Sequence, residues 1–191
     1  MVTGVILAGG YSSRAKTNKL LLEVNNKPLI LNTIDSIKPF VDRVLVVTGF
    51  YNDELCPLLN DVDVVYNKDF HLGMFSSVLC GVKHCKGDVL ILPGDMTGIT
   101  KETFESLLSS NGEIRIPTYN GKTGHPLFLS HSMCELLLKE DVESNLKVFI
   151  SKYENKITYV PVNDEFIKKD IDTIEDYKKF ISLRKETVLW K

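Results

Sequence analysis

An α/β fold with a largely parallel sheet covered on both faces is what this sequence predicts, and three observations carry it. Short apolar, β-branched runs alternate with helical patterns along the whole 191-residue chain. Runs such as Val44-Leu45-Val46-Val47 and Val89-Leu90-Ile91-Leu92 are apolar at every position, as strands buried on both faces are. No repeat, low-complexity segment or linker divides the chain, so a single domain across residues 1–191 is expected.

Taken in order, Val2–Leu7 reads as the first strand and Pro28–Ile37 as the first helix, with Pro28 suited to a first turn where its missing N–H costs nothing. Arg43–Gly49 is a second strand, Asn52–Leu59 a short helix and Val62–Tyr66 a third strand. Met74–His84 is helical, and Asp88–Pro93 is the fourth strand. Thr100 is a good N-cap for a helix that runs to Leu108. Ile114–Thr118 and Pro126–Ser130 are strands joined by the turn Asn120-Gly121-Lys122-Thr123-Gly124. Val142–Ser151 is helical, Ile157–Val160 and Lys169–Asp172 are strands, and Ile174–Leu183 is the last helix. In sheets of this kind ligands bind beyond the C-terminal ends of the strands.

Composition narrows the classes. Hydrophobic content of 43% and charged content of 25% are those of an ordinary globular protein. A net charge of -2 with scattered basic residues argues against bulk electrostatic binding of nucleic acid. No apolar run approaches the roughly 20 residues that span a bilayer. The chain starts directly on a strand pattern without a charged leader, so a cytoplasmic location is expected. The four cysteines (Cys56, Cys80, Cys85, Cys134) form no CxxC pair and no zinc spacing, and reduced thiols are expected.

The chemistry concentrates at strand ends. Val5-Ile6-Leu7-Ala8-Gly9-Gly10 ends a strand in paired glycines, which permit backbone angles closed to other residues and let N–H groups face an anion. Arg14 and Lys19 then place two cations where the phosphates of a nucleotide would lie. A plain Gly-Gly turn with surface cations is the alternative, and the other strand ends weigh against it. Asp95 follows the fourth strand and the breaker Pro93-Gly94, on the same edge as Gly9 and Gly10. Its ordinary reading is a turn former; its functional reading is a hard oxygen ligand of the kind Mg²⁺ takes, one or two per site beside phosphate and water. Asp170-Ile171-Asp172-Thr173 supplies a further carboxylate, from Asp170 or Asp172, and doubles as a helix cap. Gly73-Met74-Phe75-Ser76-Ser77 opens a helix with residues suited to a base or ribose, or with a capping serine and core-filling Met74 and Phe75. His125 sits in a turn at a strand start. No nucleophilic triad and no catalytic zinc spacing is visible.

This set resembles the nucleotidyltransferases that act on the molybdenum cofactor, most of all the branch that makes cytidylylated molybdopterin for molybdenum hydroxylases. The matching segments are Leu7-Ala8-Gly9-Gly10-Tyr11-Ser12-Ser13-Arg14, Lys19-Leu20-Leu21-Leu22, Gly73-Met74-Phe75-Ser76-Ser77, Leu92-Pro93-Gly94-Asp95-Met96, Gly124-His125-Pro126 and Asp170-Ile171-Asp172-Thr173. The resemblance implies a three-layer α/β/α sandwich, Rossmann-like with a mostly parallel mixed sheet, of the nucleotide-diphospho-sugar transferase type. It implies an N-terminal nucleotide half and a C-terminal acceptor half. By the same resemblance Leu7, Ala8, Gly9 and Gly10 hold base and phosphates, Arg14 and Lys19 hold the triphosphate, and Gly73 and Ser77 lie near the base. Asp95 and Asp172 would bind Mg²⁺, Lys19, Arg14 and Asp95 would act in catalysis, and His125 would lie on the acceptor side. The substrates implied are a nucleoside triphosphate (CTP before GTP) and molybdopterin, with a molybdenum hydroxylase as client.

The chain departs from the family pattern at Ala15-Lys16-Thr17, at Thr97 and at Ile174. Its two base signals also differ: Gly9 is commoner in guanylyl-transferring relatives, and the Gly73–Ser77 segment in cytidylyl-transferring ones. Two alternatives stand beside this reading. One is a nucleotidyltransferase for a sugar phosphate or another small acceptor, although Gly10-Tyr11-Ser12-Ser13-Arg14 lacks the second glycine usual there. The other is a non-catalytic chaperone holding a nucleotide cofactor, against which both Asp95 and Asp172 speak. Least favoured is a dinucleotide-binding oxidoreductase, since the strict GxGxxG is missing and no acidic residue is placed clearly for a ribose.

Overall fold

The computed structural model describes residues 1–11 and 18–169. The strands are β1 (Val2–Ala8), β2 (Glu23–Val24), β3 (Lys27–Pro28), β4 (Arg43–Thr48), β5 (Asp63–Tyr66), β6 (Asp88–Pro93), β7 (Ile114–Tyr119), β8 (Lys122–Thr123), β9 (Leu127–Leu129) and β10 (Ile157–Pro161). The α-helices are α1 (Leu29–Ile37), α2 (Asn52–Leu55), α3 (Met74–Lys83), α4 (Lys101–Ser109), α5 (His131–Leu137) and α6 (Leu146–Lys152).

The main sheet runs in the order β10-β7-β9-β6-β1-β4-β5, with β8 folded back on β7, while β2 and β3 form a separate hairpin. β1 pairs in parallel with β4 and β6, β4 with β5, and β7 with β10; β9 runs antiparallel to both β6 and β7. The sheet is therefore mixed and mostly parallel. From β1 the chain winds outward through β4 to β5, then returns to the other side of β1 as β6. The winding reverses there, so the C-terminal ends of β1 and β6 open a crevice.

Alternation along the strands feeds two cores. Ile6, Val44, Val46, Leu90 and Leu92 pack with Ile30, Ile34 and Ile37 of α1, Leu55 of α2 and Phe104 of α4. Val5, Val47, Val89 and Ile91 pack with Phe75 and Val78 of α3, Met133 of α5 and Phe149 of α6. Helices thus cover both faces, giving the three layers expected. One close approach matters for the site: a Cβ on Gly81 would lie 2.6 Å from Val5 Cγ1, so glycine lets α3 lie flat on β1.

Several boundaries differ from the sequence reading. Pro28 is the N-cap of α1 and pairs with Glu23, because its extended ψ of 141° precedes the helix. The helix placed at Val142–Ser151 starts at Leu146, since the Asn145 side chain accepts the Val148 N–H at 2.9 Å and residues 141–144 form a turn. Helix α5 was absent from the sequence reading; Ser130, assigned to a strand end, caps it by accepting the Met133 N–H. Lys169 follows a 3-10 turn at Glu165–Lys168 and is not in a strand. The rest of that expected strand, including Asp170 and Asp172, and the helix at Ile174–Leu183 lie outside the described residues.

Candidate active site

The crevice beyond β1 and β6 widens into a cavity of about 1260 Å³. Leu7, Ala8, Gly9, Gly10, Lys19, Gly73, Ser77, Asp95 and His125, named separately from the sequence, all line it. Arg14 and Asp172 lie outside the described residues. A single small ligand fills roughly 300–1,000 Å³, so this volume has room for two substrates side by side.

The first loop does not use its glycines as the sequence suggested. Neither Gly9 nor Gly10 has a positive φ; Gly9 is needed for space. A Cβ there would lie 2.7 Å from Ser77 Oγ and 3.5 Å from the Thr48 carbonyl. Gly49 backs the loop from the next strand, where a Cβ would meet the Gly9 carbonyl at 2.4 Å. Phe50 N–H donates to that carbonyl at 3.2 Å. A Cβ built on Gly10 would meet nothing within 4 Å among the described residues, and Gly10 lines the cavity.

Asp95 is held from two sides. Gly94 N–H donates to the Leu7 carbonyl at 2.9 Å, which ties the turn after β6 to the end of β1. On α1, the buried Thr33 hydroxyl lies 3.0 Å from the Gly94 carbonyl and 3.2 Å from that of Met96, bracketing Asp95. The Asp95 carboxylate meets Lys19 Nζ at 2.5 Å, with side chains 13% and 16% exposed. Asp95 is therefore part of the structure as well as of the site: Asp95→Ala takes an ion-pair partner from a largely buried ammonium. Lys19 itself opens a 3-10 turn capped by Asn18, whose Oδ1 accepts from Leu20 N–H and whose Nδ2 donates to Glu54. Among the described residues no group of three or more metal-ligating side chains forms; the carboxylates they bring to the cavity are Asp95 and Glu154.

On α3, Ser77 is buried and accepts a hydrogen bond from Asn67 Nδ2 at 3.0 Å. Gly73, at φ 95°, and not a serine, is the N-cap of this helix. Phe75 fills the core as expected, whereas Met74 is 65% exposed beside the cavity.

The opposite wall comes from the C-terminal half. His125 N–H donates to the Ile167 carbonyl at 2.7 Å, and a Cβ on Gly124 would lie 2.1 Å from that same oxygen. Here the Gly124-His125 backbone seats the segment carrying Lys168. Lys122, Lys147 and Lys168 line this wall with Glu154, and Lys19 and Asp95 line the floor; among the described residues four lysines face two acids in the cavity, in a chain whose net charge is -2. None of the described cysteines lines the cavity, and burial pushes the Cys80 and Cys85 thiols up and that of Cys134 to about 12.

Residues 4–157 match the MobA-like NTP transferase domain. The chain belongs to that family. It is therefore a nucleotidyltransferase, similar to those of the molybdenum cofactor. It is 26% identical over 183 residues to the molybdenum cofactor cytidylyltransferase of Escherichia coli K12, covering 91% of this chain and 92% of the relative. It is 29% identical over 194 residues to a probable molybdenum cofactor guanylyltransferase of Natranaerobius thermophilus, covering 93% and 94%. In fold it is similar to a nucleotidyl transferase from Methanothermobacter thermautotroptrophicus, with a TM-score of 0.85 and 23% identity over 98% of this chain and 99% of that one.

Within this family site, sequence reasoning missed Thr33, Asn67 and Asn18. Each is a polar residue buried where an apolar one would be ordinary, a signal that needs the burial itself to be seen.

Proposed function

We propose that this transferase moves a nucleotidyl group, CMP in preference to GMP, from the nucleoside triphosphate to the terminal phosphate of molybdopterin. The observation that carries the reading is the single cavity joining the glycine loop and Asp95 to a lysine-lined second wall. It is large enough for two anionic substrates and cationic enough to bring them together.

An oxygen of the acceptor's phosphate monoester attacks the α-phosphorus. The bond from that phosphorus to the oxygen bridging to the β-phosphate breaks, and pyrophosphate leaves with the electron pair. With a second pKa near 6, the monoester is largely dianionic at neutral pH and needs no general base. The protein's work is alignment and charge stabilisation. Lys19 neutralises the triphosphate, the loop at Ala8–Gly10 lets it approach the backbone, and Lys122, Lys147 and Lys168 hold the acceptor's charge. Asp95 would hold Mg²⁺: it is a hard oxygen donor on the cavity floor beside Lys19, of the kind that ion takes together with substrate phosphate and water. When bound, the ion offsets charge building on the leaving pyrophosphate.

Mass spectrometry of the product after incubation with molybdopterin, Mg²⁺ and CTP tests this reading. The expected product is the pterin cytosine dinucleotide. A product formed equally well when molybdopterin is replaced by a sugar phosphate would overturn the acceptor assignment.

A further inference from the structure

Asn67, just past β5, is 4% exposed and takes no part in the reaction above, yet its whole amide is engaged. Oδ1 accepts the Asp69 backbone N–H at 3.1 Å. Nδ2 donates to Ser76 Oγ at 2.9 Å and to Ser77 Oγ at 3.0 Å. A backbone N–H can only donate, so the amide oxygen must face Asp69 and the amide nitrogen must face the serines.

The two serines differ in what remains to them. Ser76 Oγ also lies 2.9 Å from the Asp69 carbonyl and 2.8 Å from that of Gly73, which take its proton. Ser77 makes no other hydrogen bond among the described residues. Its oxygen accepts from Asn67, and its O–H is left for whatever occupies the cavity it lines. That oxygen lies against the glycine loop, 2.7 Å from where a Gly9 Cβ would be.

We infer that Asn67 is a positioning residue for base selection: by donating to Ser77 Oγ it makes Ser77 a hydrogen-bond donor, not an acceptor, toward the nucleobase. The inference rests on the transferase reading above. The ligand it selects is a base edge presenting a carbonyl oxygen or unprotonated ring nitrogen at that point. A base presenting N–H there sets two donors face to face and leaves both unpaired.

Asn67→Asp is the direct test. It keeps the shape and still accepts from Asp69 N–H, but as a carboxylate at about pH 8 it draws the Ser77 proton to itself. Titration calorimetry with CTP and with GTP, without acceptor, gives the ratio of the two dissociation constants for wild type, Asn67→Asp, Ser77→Ala and the double variant. That ratio is expected to fall about tenfold in each single variant and no further in the double, in line with one lost hydrogen bond and one unpaired group. Asn67→Ala, which leaves Ser77 without its fixed donor, is expected to lose the same discrimination and carries the test should Asn67→Asp unfold in thermal melts. Equal weakening of both nucleotides with an unchanged ratio would make Asn67 merely structural and overturn the inference. A wild-type protein that binds neither nucleotide would instead overturn the transferase reading itself.

Discussion

Removing the Asp95 carboxylate has two consequences that separate in experiment. In the nucleotide-free protein, Asp95→Ala leaves Lys19 without the carboxylate 2.5 Å away, at a site where both side chains are more than four-fifths covered. A fully buried pair broken on one side costs about 3–5 kcal/mol; the residual exposure here brings the figure to that of a charged hydrogen bond, about 1.5–3 kcal/mol. For a chain of this size each kcal/mol moves the melting temperature by about 2–4 °C, so a loss of roughly 3–12 °C is expected in calorimetry with chelator present. Lys19→Ala should lose a similar amount, and the double variant less than the sum of the two, because both single variants remove the same ion pair. In turnover the order differs: Asp95→Ala should cost about 10²–10³ or more in kcat, and Lys19→Ala one to two decades. Strictly additive melting shifts, or Asp95→Ala turnover close to wild type with Mg²⁺ present, would refute this account of the pair.

Three further outcomes follow. Gly9→Ala places a methyl 2.7 Å from Ser77 Oγ, so it should lower GTP use more than CTP use, and in kinetic cycles its effect should shrink in the Ser77→Ala background by more than about 0.5 kcal/mol. Gly124→Ala drives a Cβ to 2.1 Å from the Ile167 carbonyl and should raise KM for the acceptor several-fold more than KM for the nucleotide, as steady-state kinetics will show. Burial raises the Cys134 thiol to about 12, so the unfolded chain ionises first as pH rises; its stabilising contribution, intact below about pH 9, should be lost between about pH 9 and 12, and chemical denaturation across that range should decline less steeply in Cys134→Ala.

Much of the fold was legible because its signals are local. The apolar runs at Val44–Val47 and Val89–Leu92 have no face to show solvent, and the Pro93-Gly94 break marks where β6 must end. The site was legible for the same reason, since a parallel sheet delivers its strand ends to one edge. Helix α5 was not: Ser130 reads equally well as a strand residue or a cap, and only the Met133 N–H decides between them. The roles of Gly9 and Asn67 were hidden for another reason. Gly9 is fixed by a serine 68 positions away and Asn67 by a serine ten positions away, contacts that exist only once α3 lies against β1. The Lys19–Asp95 pair likewise joins residues far apart in sequence, and its burial turned a loop carboxylate into part of the structure.

Pyrophosphate release by the purified chain with molybdopterin, Mg²⁺ and each of CTP, GTP and ATP is the most direct measurement. The account predicts release that requires molybdopterin, stops with chelator, is fastest with CTP and is lost in Asp95→Ala. Release independent of molybdopterin, or none with any of the three nucleotides, would contradict it.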